Sequence, residues 1–452
     1  MSIIPNLRNI NYQEITQLKI LYNFGLRTFE LGILLLAAAP VISIAFLIFS
    51  AIAASFSSEE NYFKDKYNYP FLIISFLMIL NCILLYWSDK VINSIQIKNA
   101  WIGLLNWIPF FWCFWSFQKY LYSKKLRTNA AKLLIIGSIP VLMSGFFQYF
   151  LGIYGPFRFL NNLIIWYQRP LGQENGVTGL FNNQNYAGAW LCILLPLCFG
   201  FLLRINKNSL KKFLISLISL KFIYMIVLTS SRNAILSIFI AIFLFTRSIK
   251  KKLFSLLTLI SLLYIVKLLP LTTLNNQNNI FNFIPFELIK KTSINNIHKL
   301  FYSPRLEIWS KSFELIKSNS LMGFGAGSFG SVYTQSNGEF SGIQHPHNLF
   351  IEIAFSHGII PALMLIGMFI YLIIISLKIN QISFNPKASE LKLYQENLDK
   401  AWIISFIIFF LIHIFDITYF DGRISIVCWI LLSGMICMIK ENKRSNKYLR
   451  SD

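Results

Sequence analysis

ISIVCWILLSGMICMI, the run from Ile424 to Ile439, contains no charged residue and no proline. Its length approaches the roughly 20 residues that a helix needs to cross a hydrocarbon layer of about 30 Å. Apolar residues do not alternate with polar ones, so the run does not read as a barrel strand. Where no water is present, every backbone N–H and C=O must be bonded within the segment, and for an unbroken apolar run that means a helix. Working outward gives further runs at Glu30 to Phe56, Phe71 to Trp87, Trp101 to Phe117, Leu133 to Ile153 and Tyr186 to Leu203. Others follow at Phe213 to Leu228, Ala234 to Phe245, Leu253 to Leu269, Leu349 to Leu377 and Trp402 to Ile417, which makes eleven in all. The expected fold is an all-α integral membrane bundle of about 10–12 transmembrane helices, with one large exterior loop that contains short helices.

Composition agrees with this reading. A length of 452 residues would suit two or three soluble domains, but 55% hydrophobic and 13% charged residues describe a polytopic membrane chain. The net charge of +22 (41 basic minus 19 acidic) comes from short clusters between apolar runs, such as Lys124-Lys125-Leu126-Arg127 and Lys250 to Lys252. Clusters so placed are topology signals, and no nucleic-acid partner is indicated. All six cysteines lie inside apolar runs without a C-x-x-C pair, so neither a disulfide framework nor a metal framework is implied. The first apolar run is too long for a signal-peptide core of about 7–15 residues and reads as an uncleaved helix.

Placing the basic clusters on the cytoplasmic side divides the chain into five parts. These are a cytoplasmic N-terminus (1–29), a transmembrane bundle with an exterior loop at 153–185 (30–270), a large exterior, periplasmic loop (271–347), C-terminal transmembrane helices (348–439) and a basic cytoplasmic tail (440–452). Eleven crossings cannot leave both basic termini inside. Either the first run is a hairpin of two helices folded at Ala39-Pro40, or the aromatic run Trp107 to Phe117 does not span, or one crossing is missed.

The large loop holds most of the residues suited to chemistry. Ser303-Pro304 is a helix-start signal, and Leu306, Trp309, Phe313 and Ile316 recur at helical spacing as one apolar face. Arg305 falls in the first turn of that helix, where a cation opposes the macrodipole unless an anion is bound. Helix amides plus a bidentate guanidinium suit a phosphate or diphosphate. Arg232 lies in Thr229-Ser230-Ser231-Arg232-Asn233, a minimal turn on the side where basic residues are scarce, and reads either as a snorkelling anchor or as a functional cation. Arg158 and Arg169 in the other exterior loop would add charge to such a site or be plain loop residues.

Gly323, Gly325 and Gly327 lack the context of a nucleotide loop and read as a turn that returns the chain to the bundle. The chain then leads through His345-Pro346-His347-Asn348 into a short helix, Asn348 to Ser356, closed by His357-Gly358. A spanning segment starts at Pro361. His347 is the candidate acid/base, with His345 and His357 as competitors. Asp416 and Asp421, between the last two helices, form either a structural turn with Arg423 or part of the site. No H-E-x-x-H, carboxylate cluster or Cys/His set appears, so no metal and no cofactor is expected.

Taken together, Gly179-Leu180-Phe181-Asn182-Asn183-Gln184-Asn185-Tyr186-Ala187-Gly188, Ser231-Arg232, Arg305 followed by Trp309, Gly323-Phe324-Gly325 and His347-Asn348 resemble the O-antigen ligase and polymerase superfamily over roughly residues 175 to 435. The resemblance implies a multi-pass glycosyltransferase of the bacterial inner membrane. It would take a glycan from a polyprenyl diphosphate carrier and join it to a lipid or saccharide acceptor on the exterior face, by inverting transfer without a metal. Carried over by position, Arg232 and Arg305 match the family's loop arginines as partners of the diphosphate, and His347 its acid/base. Asn185, Asn348, Arg158, Arg169, Asp416 and Asp421 are the candidate substrate contacts. The superfamily also includes members described as inorganic-carbon transporters, so the competing reading is a transporter of a small anion such as bicarbonate. A non-catalytic scaffold would leave the arginines and the imidazole unexplained.

Overall fold

The computed structural model describes residues 12–58, 61–87, 94–171, 176–204, 210–246, 304–382 and 390–448. The expected run Leu253 to Leu269, the basic cluster Lys250 to Lys252 and the first part of the large loop, through Ser303, lie outside the described residues. The helices are α1 (Tyr12–Leu35), α2 (Pro40–Ser57), α3 (Tyr69–Tyr86), α4 (Ser94–Gly103), α5 (Ile108–Ser116), α6 (Gln118–Leu121), α7 (Lys124–Gly137), α8 (Ile139–Leu151) and α9 (Gln184–Arg204). They continue with α10 (Leu210–Leu228), α11 (Arg232–Phe245), α12 (Pro304–Ser318), α13 (Phe329–Gln335), α14 (Leu349–His357), α15 (Ile359–Ile382), α16 (Glu390–Phe415) and α17 (Gly422–Tyr448). Among the described residues, seven helical stretches are long and apolar enough to cross a membrane: Pro40–Ser57, Tyr69–Tyr86, Lys124–Leu151, Gln184–Leu203, Ile359–Asn380, Asn397–Phe415 and Gly422–Arg444. The chain is an all-α, multi-pass membrane bundle. Its one sheet among the described residues is a hairpin of two short antiparallel strands, β1 (Phe157–Phe159) and β2 (Ile164–Trp166), in the loop expected at 153–185.

Two expected spans change form. The first apolar run is broken at Pro40, whose ring fixes the first turn of α2 and ends the preceding chain in a tight turn. α1 and α2 fold back on each other, with the Ser43 hydroxyl donating to the Gly32 carbonyl at 2.7 Å. The run Trp101 to Phe117 is not one helix: it passes from α4 through a 3₁₀ turn (Leu104–Asn106) into α5, whose 9 residues span only about 14 Å. Its rings are core: Phe111 and Phe114 pack around Phe71 and Trp429. Trp429 belongs to α17, which is buried along nearly its whole apolar length and forms the axis of the bundle.

Helix α12 buries a face that only partly coincides with its apolar stripe. Ile308, Ser312, Leu315 and Ile316 are buried, whereas Leu306 and Phe313 are more than half exposed. Beside a membrane, an apolar residue does not mark the inward face.

Polar groups collect at the two ends of the bundle. At one end the guanidinium of Arg127, 1% exposed, donates to Asp399 Oδ1 at 3.4 Å, to Glu441 Oε2 at 2.7 Å and to the Leu121 carbonyl at 3.1 Å. Lys440 bonds Asp65 at 2.7 Å nearby in sequence on α17. Asp399 lies near the start of the apolar part of α16, Asn397–Phe415, and Asp416 follows its last residue, so at 1.5 Å per residue the two positions are about 25 Å apart along the helix. That is close to the thickness of a bilayer core.

Candidate functional site

The chain between α16 and α17 makes a rigid turn. Tyr419 stacks on Trp107 with ring centres 4.5 Å apart, and its hydroxyl donates to the Asn106 carbonyl and accepts from Trp429 Nε1. His413, fully buried, bridges the Phe409 carbonyl and the Thr418 hydroxyl. The two aspartates of this turn have separate roles. Asp421 receives Arg423 Nε at 2.8 Å and Nη2 at 2.5 Å, while the same guanidinium lies 3.7 Å over the Phe181 ring and donates to the Leu180 carbonyl. This pair clamps the Gly179-Leu180-Phe181 segment to α17. Asp416, buried, instead faces His347.

Nδ1 of His347 lies 3.6 Å from Asp416 Oδ1, just beyond hydrogen-bonding distance, and its side chain is 32% exposed. Two neighbours fix the loop that presents it. Trp309 Nε1 donates to the Pro346 carbonyl at 2.8 Å, and the backbone N–H of His347 donates to His345 Nδ1 at 3.3 Å. His347 itself has φ of +54°, a left-handed conformation that a non-glycine residue adopts only when its surroundings impose it. The Trp309 ring also packs 6.3 Å from Phe415, directly before Asp416. Arg305 stands four residues before Trp309 and therefore on the same face of α12, one turn away. That spacing lets one helix hold the histidine loop with an indole and reach Asp416 with a guanidinium.

Arg232 is the first residue of α11. The turn before it is fixed from two sides: Val177 N–H donates to the Leu228 carbonyl at 2.9 Å, and Gly188 of α9 lies against it so closely that a Cβ there would come within 2.9 Å of Ala234 Cβ. Only glycine allows α9 to approach the turn at that distance.

The charges of these residues act on each other. Burial holds the Arg305 guanidinium below its ordinary pKa; Asp416 opposes the shift and Arg232 adds to it. Burial would raise the Asp416 carboxyl, but the His347 side chain, the Ile417 N–H and Arg305 outweigh it and hold the group below the usual aspartate value. His345 is held down to about 4, first by burial and then by His347, with Asp416 opposing and Arg305 reinforcing the shift. Its neutral ring can accept the His347 N–H. Tyr186, in the first turn of α9, is within electrostatic reach of Asp416 and Asp421. His345, His347 and Arg305 thus gather around Asp416, and Arg232 lies within electrostatic reach of Arg305.

A family model described as O-antigen ligase matches residues 214–366. This stretch belongs to the O-antigen ligase family. No curated protein matches the chain. The chain is a multi-pass membrane protein, and the match over this stretch supports an enzyme of the general O-antigen ligase or polymerase type. The ligase match is narrower than the resemblance seen in the sequence. It takes in Arg232, Arg305, Trp309, His345 and His347 and stops before Asp416, so the carboxylate of the cluster comes from outside it.

The remaining candidates lie elsewhere. Asn348 caps α14, its side-chain oxygen accepting from the N–H groups of Phe350 at 2.9 Å and Ile351 at 3.1 Å. Asn185 is in the first turn of α9, its N–H bonded to Asn183 Oδ1. Arg158, on β1 opposite Ile165, and Arg169 beyond β2 have exposed side chains on the hairpin, outside the contacts that join the cluster. The ligase-type glycine motif docks the loop as expected: Phe324 N–H and Gly325 N–H donate to the carbonyls of Phe355 and Ser356, at the end of α14. At Gly323, with φ of +68°, a Cβ would lie 2.7 Å from the Phe355 carbonyl oxygen. Trp309 and Tyr186 were not singled out as site residues. Trp309 was legible in part, because an arginine and an indole four residues apart share a helix face; the proximity of Tyr186 depends on packing between distant segments.

Proposed function

We propose that the protein transfers a glycan from a polyprenyl diphosphate carrier to a hydroxyl of a lipid or saccharide acceptor, on the exterior face of the membrane, at the cluster around His347. The observation that carries this reading is that the His347 imidazole lies beside Asp416 at one end of the bundle, with Arg305 within electrostatic reach of that carboxylate and Arg232 within reach of Arg305. Arg232 and Arg305 would hold the diphosphate, whose charge would offset the repulsion between the two neighbouring guanidiniums. Asp416 would accept a hydrogen bond from His347 Nδ1–H and leave Nε2 to receive a proton. The 3.6 Å separation would close when substrate settles the loop, because catalytic hydrogen bonds are often long without substrate. In the reaction the acceptor oxygen bonds to the anomeric carbon as the bond from that carbon to the diphosphate oxygen breaks. The hydroxyl proton passes to His347 Nε2, and the polyprenyl diphosphate departs with its charge balanced by the arginines. A single displacement of this kind inverts the anomeric configuration.

Against an anion transporter stands the position of the cluster at helix ends, about 25 Å along α16 from the opposite polar end, rather than on broken helices at the midplane. The test uses purified protein in lipid vesicles, offered a panel of polyprenyl-diphosphate-linked glycans and acceptors. Transfer in the absence of ATP, lost in His347→Ala, is expected. Bicarbonate uptake into sealed vesicles, with no transfer across the panel, would replace this reading with transport.

A further inference from the structure

The β1–β2 hairpin lies on the same end of the bundle as His347, since the chain that follows it contacts the turn before Arg232 and the clamp at Arg423. Its base is rigidly held. Trp166 Nε1 donates to the Ala38 carbonyl at 2.7 Å in the turn between α1 and α2, and Gln168 is buried between Ser144 and the Ile153 carbonyl. The Ala38 carbonyl lies in the turn between α1 and α2 and the Ile153 carbonyl just past α8, so these two anchors place the base where apolar helices end. The tip is built oddly for water. Leu160, Asn161 and Asn162 have φ of 49°, 52° and 69°, a run in which asparagine is tolerated but leucine is disfavoured. Leu160 is nonetheless 66% exposed, with Phe159 and Leu163 more than 40% exposed beside it.

This apolar surface does not stand alone. It continues through Tyr154 and Ile153 into Leu151 and Phe150, on the exposed face of α8 inside the candidate span Lys124–Leu151. From Gly152 to Leu171 the chain has two cations, Arg158 and Arg169, and no acidic residue. Aromatic rings, exposed leucines and arginines without acids at the edge of a lipid-facing belt match the chemistry of an anionic headgroup layer.

We propose that the hairpin is an interfacial membrane element: Phe159, Leu160 and Leu163 enter the boundary between headgroups and acyl chains of an anionic leaflet, with Arg158 and Arg169 at its phosphates. Because the hairpin base and the His347 cluster share one end of the bundle, the element fixes how deep that end sits in the leaflet. The inference stands apart from the reaction and does not depend on it.

The test attaches an environment-sensitive fluorophore to Leu160→Cys in a Cys113→Ala background, the remaining cysteines being buried. Asn337→Cys, exposed beyond α13, serves as the reference. In vesicles containing phosphatidylglycerol the Leu160 probe should emit at shorter wavelength and be quenched by shallow spin-labelled lipid at least about twofold more than the reference. Adding Arg158→Gln and Arg169→Gln should reduce the quenching in anionic but not in neutral vesicles. Equal, water-like emission from both probes would overturn the proposal. So would a Leu160 probe that is water-exposed in vesicles yet shielded in native membranes, because a protein partner would then cover the tip.

Discussion

The two polar ends of the bundle are built on opposite principles. Around Arg127, one buried guanidinium meets two carboxylates and a backbone carbonyl, and a second cation, Lys124, reaches Asp399 at 3.7 Å. Around His347, Arg305 and two imidazoles act on Asp416, Arg232 acts on Arg305, and Asp421 is held by Arg423. Even the next buried acid beyond the histidine loop, Glu352, has one carboxyl oxygen bonded to Ser356 and the other without a partner. A closed ion cluster joins helices, whereas neighbouring guanidiniums and a strained backbone at the other end suit the proposed anionic ligand.

That contrast makes distinct expectations for substitutions at each end. His347→Ala should lower turnover by about 10² to 10⁴, the usual worth of a general base, with little change in thermal stability. Unchanged turnover at a normal protein level would remove His347 from the chemistry. Arg127→Ala should do the reverse, destabilising the protein by about 3 kcal/mol, since Asp399 would lose its buried partner while the more exposed Glu441 stays hydrated. Unfolding in detergent, followed by heat, reads this directly. An unchanged midpoint would show that the cluster is not a lock.

Smaller effects sharpen the comparison. Burial pushes the Glu352 carboxyl up to about 7, with Ser356 opposing, above the value near 4.5 expected in the unfolded chain. Such a group supports the fold below about pH 4.5, and that support fades as pH rises through about 7. Glu352→Gln should therefore match the wild type at pH 4.5 and be more stable at pH 8, by on the order of 2 kcal/mol. A stability difference that does not vary with pH would mean that Glu352 has a charged partner. Asn348→Ala removes a helix cap and should cost about 1 kcal/mol of stability with turnover nearly intact. A loss of turnover comparable to that of His347→Ala would return Asn348 to the reacting groups.

Much of this was readable from residues alone, for reasons that also mark the limits. Unbroken apolar runs can only be helices in lipid, so the bundle followed from composition and pattern. The break between α4 and α5 followed only as one of three ways to leave both basic termini inside, because Trp101 to Phe117 is mostly apolar and only Asn106 and Pro109 hint at it. The apolar stripe of α12 does not tell which side packs, because a helix beside lipid is apolar on both sides, which leaves Leu306 and Phe313 outside and Ser312 inside. Asp416 and Asp421 were equivalent on paper. Their separation depends on Arg423, two residues from Asp421, and on a histidine 69 positions from Asp416, the difference between 416 and 347. Arg127 was taken for a topology signal because its partners lie 272 and 314 residues away. The order Arg232, Arg305, His347 is legible as a motif; the carboxylate that His347 and Arg305 have in common is not.

The most direct measurement of the central claim needs no knowledge of the glycan. Undecaprenyl diphosphate, the carrier without its sugar, is titrated against the purified protein in lipid nanodiscs, for the wild type and for Arg232→Ala, Arg305→Ala and Arg305→Lys. Each alanine variant should bind about tenfold or more weakly, for the loss of a charge-assisted contact of about 1.5–3 kcal/mol, and the lysine should restore part of it because a point charge cannot reproduce the planar fork. Undecaprenyl diphosphate binding as tight to the Arg232→Ala and Arg305→Ala variants as to the wild type would contradict the account.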